Sequence, residues 1–287
     1  MANTIKLSPP GDFKTVEAAR PAWEIATPSF QYTKTANPDW GYGQGRNNLT
    51  DDGANRPHVV IDPYEEGRPW PYNYTLLISA ITPRPIALVS TRSADCKTTN
   101  LAPFSYFNVA THDPPIFMIG IASGVANAKD TLKNLLETKE CVINIISETY
   151  IEAANAGSVD APFGKDEWRV SGLTPEYSCE TVKCARVKES VFSVEAKLES
   201  FREWESRANP GQKSGTSVFL EGTRFWVRED ALNEEKSIVD ISVLRPMGRL
   251  GGISYSRTNT GIEIPRPKFK EDIGGEEGFN QLPSHKS

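Results

Sequence analysis

Short apolar runs bounded by polar turns dominate the middle of the chain. Residues 86–89 (IALV) form such a run, and hydroxyl-rich residues 90–93 (STRS) close it, a composition typical of a buried strand that ends in a turn. Pro83 and Pro85 mark the start of this strand, because proline cannot donate a hydrogen bond to a sheet. Residues 116–122 (IFMIGIA) and 141–146 (CVINII) predict two further buried strands.

The second half of the chain also predicts strands. Residues 190–201 alternate between apolar and polar side chains, which is typical of a strand with one solvated face, and residues 215–229 predict one or two more. Several antiparallel strands after a mixed beginning favour a barrel over a doubly wound sheet. No G-x-G-x-x-G motif follows a strand, which argues against a dinucleotide fold. The expected fold class is mainly β with flanking helices.

One amphipathic helix is predicted over residues 130–138. Leu132, Leu135 and Leu136 recur at helical spacing, and Asp130 is the predicted N-cap. The free N–H groups of a helix N-terminus, together with Lys129 and the Thr131 hydroxyl, suit a phosphate group. The alternative is an ordinary surface helix with a lysine beside its cap, since caps are common and phosphate sites are few.

Three separated stretches carry a resemblance when they are taken together. TPRPIALVSTRS, TNLAPFSYFNVATHDPP and KDTLKNLLETKECVIN resemble the flavin reductase-like, FMN-binding split-barrel family, and APFGKDEWRVSGLTP and LRPMGRLGGISY resemble its downstream motifs. The resemblance covers about residues 73–255. It implies a six-stranded split β-barrel with flanking helices, a homodimer, and FMN near the subunit interface. The GIEIPRP piece resembles the end of fungal-type members.

The resemblance also implies the residues that hold FMN. Ser90, Thr91, Asn100, Leu101 and Ala102 are expected near the ring or the ribityl chain, and Lys129 and Thr131 at the phosphate beside Asp130. Ser105, Phe107 and Asn108 are secondary choices, and Arg84 faces the phosphate or the dimer partner. Arg245 and Arg249 can pair with carboxylates across a subunit boundary or with the phosphate. No catalytic side chain is expected, because the chemistry belongs to the flavin N5.

One departure from the family pattern leaves three functions open. Many NAD(P)H-using members carry Gly-Asp-His in a late strand, whereas the comparable residues here are Glu221, Gly222, Thr223 and Arg224. His112 could approach the ring instead, although a lone loop histidine is more often surface structure. The chain is therefore an NAD(P)H-dependent FMN oxidoreductase with a second acceptor such as an oxygenase, an FMN electron carrier or storage protein, or an FMN-free interaction protein.

Composition excludes several other classes. The net charge of −5 and the pI near 5.4 argue against nucleic-acid binding. The N-terminus lacks a secretory signal and no apolar run is long enough to cross a membrane, so a soluble cytoplasmic protein is expected. Four cysteines are expected as free thiols, and three histidines make a histidine-based metal site improbable.

The predicted organisation has three parts. Residues 1–72 form a largely irregular arm, residues 73–255 the barrel domain, and residues 256–287 an extended tail. The arm carries many aromatic residues and packs on a dimer partner, on the rim of the flavin pocket, or on its own barrel. Trp168 either helps to close the flavin site or anchors its own loop, and packing is the commoner role of tryptophan.

Overall fold

The computed structural model describes residues 13–25, 29–46 and 56–284, so the N-terminal residues on which the expected lack of a secretory signal rests lie largely outside it. The helices are α1 (Phe13–Ala18), α2 (Trp70–Ala80), α3 (Asp130–Thr138), α4 (Ile151–Ala156), α5 (Glu167–Ser171), α6 (Ile241–Leu244) and α7 (Gly275–Gln281). The strands are β1 (Gln31–Thr33), β2 (Ala87–Arg92), β3 (Thr99–Phe104), β4 (Phe107–His112), β5 (Pro115–Ile121), β6 (Glu140–Ile145), β7 (Pro175–Glu176), β8 (Arg186–Val187), β9 (Phe192–Glu205), β10 (Lys213–Val227), β11 (Met247–Arg249), β12 (Tyr255–Arg257) and β13 (Thr260–Ile262).

One antiparallel sheet of seven strands forms the body of the protein, in the order β3-β2-β6-β9-β10-β5-β4. The two edge strands, β3 and β4, are consecutive in sequence, and only Ser105 and Tyr106 separate them. Because two residues cannot span a flat sheet of seven strands, the sheet must curl until its edges approach. The Gly120 N–H of β5 donates to the Tyr106 carbonyl at 2.7 Å, which extends the β4–β5 pairing into this bend.

The implied number of six strands is corrected to seven. The stretch 98–108, which shows no clear periodicity, contains β3 and the start of β4, with a bend at Ser105 and Tyr106 between them. β9 and β10 are long, with 14 and 15 residues, and residues 215–229 contribute to one strand rather than two. The register shifts within the β9–β10 pair let this long strand bend without breaking.

β2 lies between two hydrophobic cores, which explains its continuous apolar run. Ala87 and Val89 belong to the core inside the curled sheet, whereas Leu88 belongs to a second core beneath α4 and α5. Residues that alternate along a strand point to opposite faces, so both faces of β2 must be apolar to be covered. Trp168 of α5 is buried in the second core.

α3 has the predicted bounds, but its predicted cap is wrong. Lys129, with extended backbone, occupies the N-cap position, and its side chain makes no capping hydrogen bond. Asp130 lies in the first turn, where its Oδ2 accepts a hydrogen bond from the Gly164 N–H at 3.1 Å. Leu132 and Leu135 are fully buried, which holds this end of α3 against the sheet.

The structure has helices in two other stretches for which the sequence predicts none. The apolar stretch 74–81 lies almost entirely within α2, whose first turn contains Pro71, a residue that suits helix starts. α5 interrupts the stretch 157–190, for which mostly loop is predicted, and the Asp166 carboxylate caps it by accepting from the Trp168 N–H at 3.2 Å. Ser147 caps a short 3₁₀ turn that precedes α4.

Two pieces of the described arm, residues 23–24 and β1, pack on the C-terminal part of the same chain. β1 pairs in parallel with β13. The Arg257 guanidinium lies 4.3 Å from the Trp23 ring, donates to the Glu24 carbonyl at 2.9 Å and pairs with Glu148 at 3.0 Å. The tail is not wholly extended, since β13 and α7 lie within it. The division into arm, barrel and tail stays a prediction.

Three further findings concern membrane-spanning helices, metal ligands and cysteines among the described residues. None of their helices is long and apolar enough to cross a membrane, and none of their histidine, cysteine, aspartate and glutamate side chains cluster in threes that could hold a metal ion. The four cysteines are free thiols, of which Cys141 and Cys184 are buried.

Candidate functional site

A cavity of about 580 Å³ opens beside the junction of the sheet edges. Its walls come from β3, β5, the N-terminal end of α3, the stretch 157–163 and the first turn of α5. Seven of the twelve predicted site residues line it: Arg84, Asn100, Ala102, Ser105, Lys129, Asp130 and Thr131. The three sequence stretches that carry the family resemblance therefore meet at one cavity.

A polar pair joins β3 to α3 at this cavity. The Asn100 side-chain amide donates to the Thr131 hydroxyl at 2.8 Å, and both side chains are buried. Behind them, the Asn134 amide donates to the Thr91 hydroxyl at 3.0 Å, which ties α3 to β2. Buried amides and hydroxyls with fixed partners hold their positions, so this end of the cavity is rigid.

The N-terminal end of α3 gives the cavity a positive end. Lys129, at the N-cap, has a side chain that is 75% exposed, and its Nζ lies 3.8 Å from the Asp160 carboxylate. The helix dipole adds partial positive charge at the same place. Asp130 is turned to the Gly164 amide, so the backbone of the loop satisfies part of its charge.

Arg84 lines the cavity but is held by backbone carbonyls. Its guanidinium donates to the Ile78 carbonyl at 2.7 Å and to the Leu250 carbonyl at 3.1 Å, which fastens α2 and the stretch after β11 to the barrel. Arg249, which also lines the cavity, pairs with Arg84 through the backbone and lies 4.4 Å from the Tyr255 ring. Arg245 instead pairs with Glu148 of the same chain at 3.2 Å.

Five predicted site residues do not line the cavity. Ser90, Thr91 and Leu101 are buried in the sheet, and Phe107 stacks on Phe117 inside the barrel with ring centres 6.1 Å apart. Asn108 is exposed on the edge strand β4. Thr91 supports the cavity indirectly through its bond with Asn134. His112 and Trp168 also lie outside the lining, and Trp168 is the buried anchor of α5.

The most informative residue that the sequence reasoning missed is Glu167. Its side chain lines the cavity, is only 6% exposed, and accepts a long hydrogen bond of 3.4 Å from the Leu101 N–H. Burial, more than the nearby Asp130 and Asp166 carboxylates, raises the pKa of the Glu167 carboxyl above its ordinary value. Its only sequence signal is an acidic pair before a tryptophan, which is equally typical of a capped helix start.

Aromatic and small residues complete the lining. They are Tyr74, Ile78, Pro103, Phe104, Tyr106, Gly120, Ile121, Ala122, Ala128, Gly157, Ser158, Val159, Ala161 and Phe163. A Cβ atom on Gly120 would lie 3.0 Å from the Tyr106 side chain, so glycine leaves room for Tyr106 beside β5 at the bend between β3 and β4. Phe163 is held from outside by the Lys133 ammonium, 4.0 Å from its ring centre.

Comparison with known proteins places this architecture in a family. The model of the flavin reductase like domain matches residues 79–244, which is more than half of the chain and includes every lining stretch from Arg84 to Glu167. The chain belongs to the flavin reductase-like family. An uncharacterized protein of Aquifex aeolicus is 39% identical over 183 residues, which cover 63% of this chain and 88% of that protein.

Two solved structures of this fold are similar to the chain. Component B of nitrilotriacetate monooxygenase from Bacillus cereus is 28% identical, with a TM-score of 0.66, and the match covers 73% of this chain and all of that one. The 2-nitrobenzoate 2-nitroreductase NbaA of Pseudomonas fluorescens is 30% identical, with a TM-score of 0.63, covering 74% and 98% of the two chains.

Membership of the flavin reductase-like family confirms the predicted split β-barrel fold and supports a flavin-related oxidoreductase activity. The relatives are bacterial proteins, and the fungal-type subtype stays a prediction. The whole N-terminal arm, residues 1–72, lies outside the matched residues, so the family match assigns it no role.

Proposed function

We propose that the chain is an FMN-binding oxidoreductase that takes electrons from NAD(P)H and passes them to a second acceptor. The observation that carries this proposal is the meeting of Asn100, Ala102 and Thr131 with the N-terminal end of α3 at one cavity of about 580 Å³. That volume is typical of a pocket for a small organic ligand. A positive helix end beside the uncharged lining residues of β3 and β5 suits a ligand with a phosphate at one end and a flat ring at the other.

In this proposal each wall has a distinct task. Lys129, Thr131 and the first turn of α3 hold the phosphate, while Asn100 and Ser105 orient the ribityl chain and the ring by hydrogen bonds. The apolar residues of β3 and β5 cover the ring and exclude water. FMN, when bound, supplies the hydride and electron transfer at its own ring, so no side chain needs to act as an acid or a base.

A homodimer is part of the same proposal. Tyr74 and Tyr106 line the cavity yet remain 51% and 41% exposed, and the neighbouring Leu77 and Ile81 of the α2 region are 54% and 60% exposed. Exposed apolar side chains beside an open cavity are typical of a surface that a partner covers. A second copy of the chain, placed on this surface, would leave FMN near the interface.

The acceptor is proposed from the two solved relatives. One of them is component B of a monooxygenase, which favours an oxygenase that receives reduced flavin. The other is a nitroreductase, which favours direct transfer to a nitroaromatic compound. Both are compatible with a flavin that reacts at an open pocket.

An electron carrier without reductase activity is the second candidate. The residues that stand in place of the family's Gly-Asp-His serve internal contacts here. The Thr223 hydroxyl donates to the Glu195 carbonyl at 3.1 Å, and the Arg224 Nε donates to Glu180 at 2.9 Å. No histidine at this place can help to position a nicotinamide. An FMN-free interaction protein is less favoured, because residues 23–24 and β1 of its arm already pack on the same chain.

Two measurements on the purified full chain test these functions. We expect flavin absorbance bands after addition of FMN, and bleaching of those bands when NADH or NADPH is added anaerobically. Bands that do not bleach would support the electron carrier and contradict the reductase. Absence of any bound flavin at saturating FMN would contradict both and support the interaction protein.

A further inference from the structure

Glu167 is a buried acid for which the described structure supplies no cation. Its carboxyl group accepts a hydrogen bond of 3.4 Å from the Leu101 N–H, a length at the weak limit for such bonds. None of the ion pairs among residues 13–25, 29–46 and 56–284 includes Glu167. A buried carboxylate in this state is costly unless a ligand or a proton neutralises it.

The charged groups around Glu167 increase that cost. Asp130 of α3 and Asp166 of its own helix both act on it as negative charges. β3 contributes no titratable side chain, and Glu152 of α4 is exposed. Lys129, at the same cavity, has Asp160 at 3.8 Å, so its charge is already partly balanced. The surroundings therefore make the charged form of Glu167 costly.

The position of Glu167 relative to the proposed ligand makes its protonation important. Glu167 lines the same cavity as Thr131 and the first turn of α3, where the phosphate is proposed to lie. A phosphate dianion beside a charged Glu167 carboxylate would be repelled by it, and a second carboxylate, that of Asp130, lies close by. The neutral acid instead offers an O–H donor, and hydrogen bonds from such donors to phosphate oxygens are short and strong.

We propose that Glu167 contacts the phosphorylated end of the ligand as the neutral acid, so that binding is accompanied by uptake of a proton from solvent onto its carboxylate. This inference rests on the proposed FMN binding, and it adds a ligand-contacting residue that the three resemblance-bearing stretches do not contain. Proton uptake by Glu167 makes FMN binding weaken as the pH rises. The contact of Glu167 with the phosphate also lets the site distinguish phosphorylated from unphosphorylated flavin.

Calorimetry of FMN binding to the full chain tests the proposal directly. Titrations at pH 7.5 in two buffers with different ionisation enthalpies give the number of protons taken up for each FMN bound. We expect about one proton for the wild type and close to none for Glu167→Gln, whose amide keeps the shape and a donor without titrating. Glu167→Gln should bind FMN at least as tightly as the wild type at this pH.

Two controls isolate the effect. Asp160→Asn removes an exposed carboxylate at the same cavity and should leave the proton uptake unchanged. Riboflavin, which lacks the phosphate, should bind with little proton uptake. The second pKa of the FMN phosphate is about 6, so at pH 7.5 the phosphate is mostly a dianion already.

Each outcome decides the matter. FMN binding without proton uptake, or equal uptake by the wild type and Glu167→Gln, would overturn this inference and leave the FMN site standing. Failure to bind any flavin would overturn the proposed function and this inference together, whereas bound FMN that NAD(P)H does not reduce affects the reductase proposal alone. Should Glu167→Gln fail to fold, carbon NMR of the wild-type glutamate carboxyls, with and without FMN, reports the same protonation change.

Discussion

Two buried glutamates of this protein have opposite surroundings. Glu195 of β9 is fully buried, and the chain itself supplies its hydrogen-bond donors, namely the N–H groups of Glu180, Thr181 and Val182, the Thr181 hydroxyl and the Trp226 indole. Burial by itself raises the pKa of the Glu195 carboxyl, but these hydrogen bonds outweigh it and lower the pKa to about 2. Glu167 accepts only from the Leu101 N–H, at 3.4 Å, and from its own backbone N–H, and burial raises its pKa.

The difference separates a residue that the fold itself satisfies from the one for which we propose a role toward a ligand. Three consecutive backbone N–H groups of the loop 180–182 donate hydrogen bonds to the Glu195 carboxylate. The carboxylate therefore holds this loop against β9. Glu167 has no such set, and it faces a cavity. A buried titratable group with few partners from the fold, facing a cavity, is a candidate for contact with a ligand.

The largest effect that we expect comes from Glu195→Ala. The change leaves buried donors without an acceptor, so the free energy of unfolding at pH 7 should fall by about 4 kcal/mol. Urea unfolding followed by circular dichroism measures it. Glu199→Ala, at an exposed position of the same strand, is the matched control and should change stability by about 0.5 kcal/mol or less. A loss below that of the control would contradict the structural role of Glu195.

The two glutamates should also give stability opposite dependences on pH. The folded pKa of Glu195 is depressed from 4.5 to about 2, so its contribution, about 3 kcal/mol, is complete above the ordinary pKa and is lost as the pH falls toward 2. The folded pKa of Glu167 is raised, so its contribution is present at low pH and is lost as the pH rises through that pKa.

Unfolding free energies measured from pH 2 to 8 separate the two effects. The difference between the wild type and Glu195→Gln should shrink toward pH 2, while Glu167→Gln should gain stability over the wild type toward pH 8. Parallel pH curves for Glu167→Gln and the wild type would show that the Glu167 carboxyl titrates normally, which would remove the contrast between the two residues.

Local periodicity predicted α3 and the strand that carries Glu195, but neither α5, which carries Glu167, nor how deeply these side chains are buried. Leucine spacing was sufficient for the bounds of α3, because a helix that packs on a sheet needs one apolar face. Ser90 and Thr91 were expected at an exposed strand end. β2 continues to Arg92 with β3 beside both residues, and α3 covers Thr91, so pairing with distant segments buries these hydroxyls.

Glu167 could not be predicted for a related reason. Its importance depends on the approach of α5 to β3 and α3, which are separated from it by more than 30 residues of sequence. The same holds for Glu195, whose alternating strand pattern gives no sign that three amides of a distant loop converge on it. Charges buried by tertiary contacts leave no local periodicity to detect.

The smallest effect that we expect concerns Lys129, the exposed cation beside the buried acid. Its side chain is 75% exposed and already has Asp160 nearby, so solvent and that carboxylate screen its attraction for a phosphate. Lys129→Ala should weaken FMN binding only about threefold, with a smaller dependence on salt, while riboflavin binding stays unchanged.

Lys97→Ala, at an exposed lysine of the β2–β3 turn paired with Asp95, is the control and should alter neither FMN nor riboflavin binding. A loss of a hundredfold would mean that the cavity relies on this cation rather than on its buried polar wall, and unaltered FMN affinity would remove Lys129 from the phosphate site.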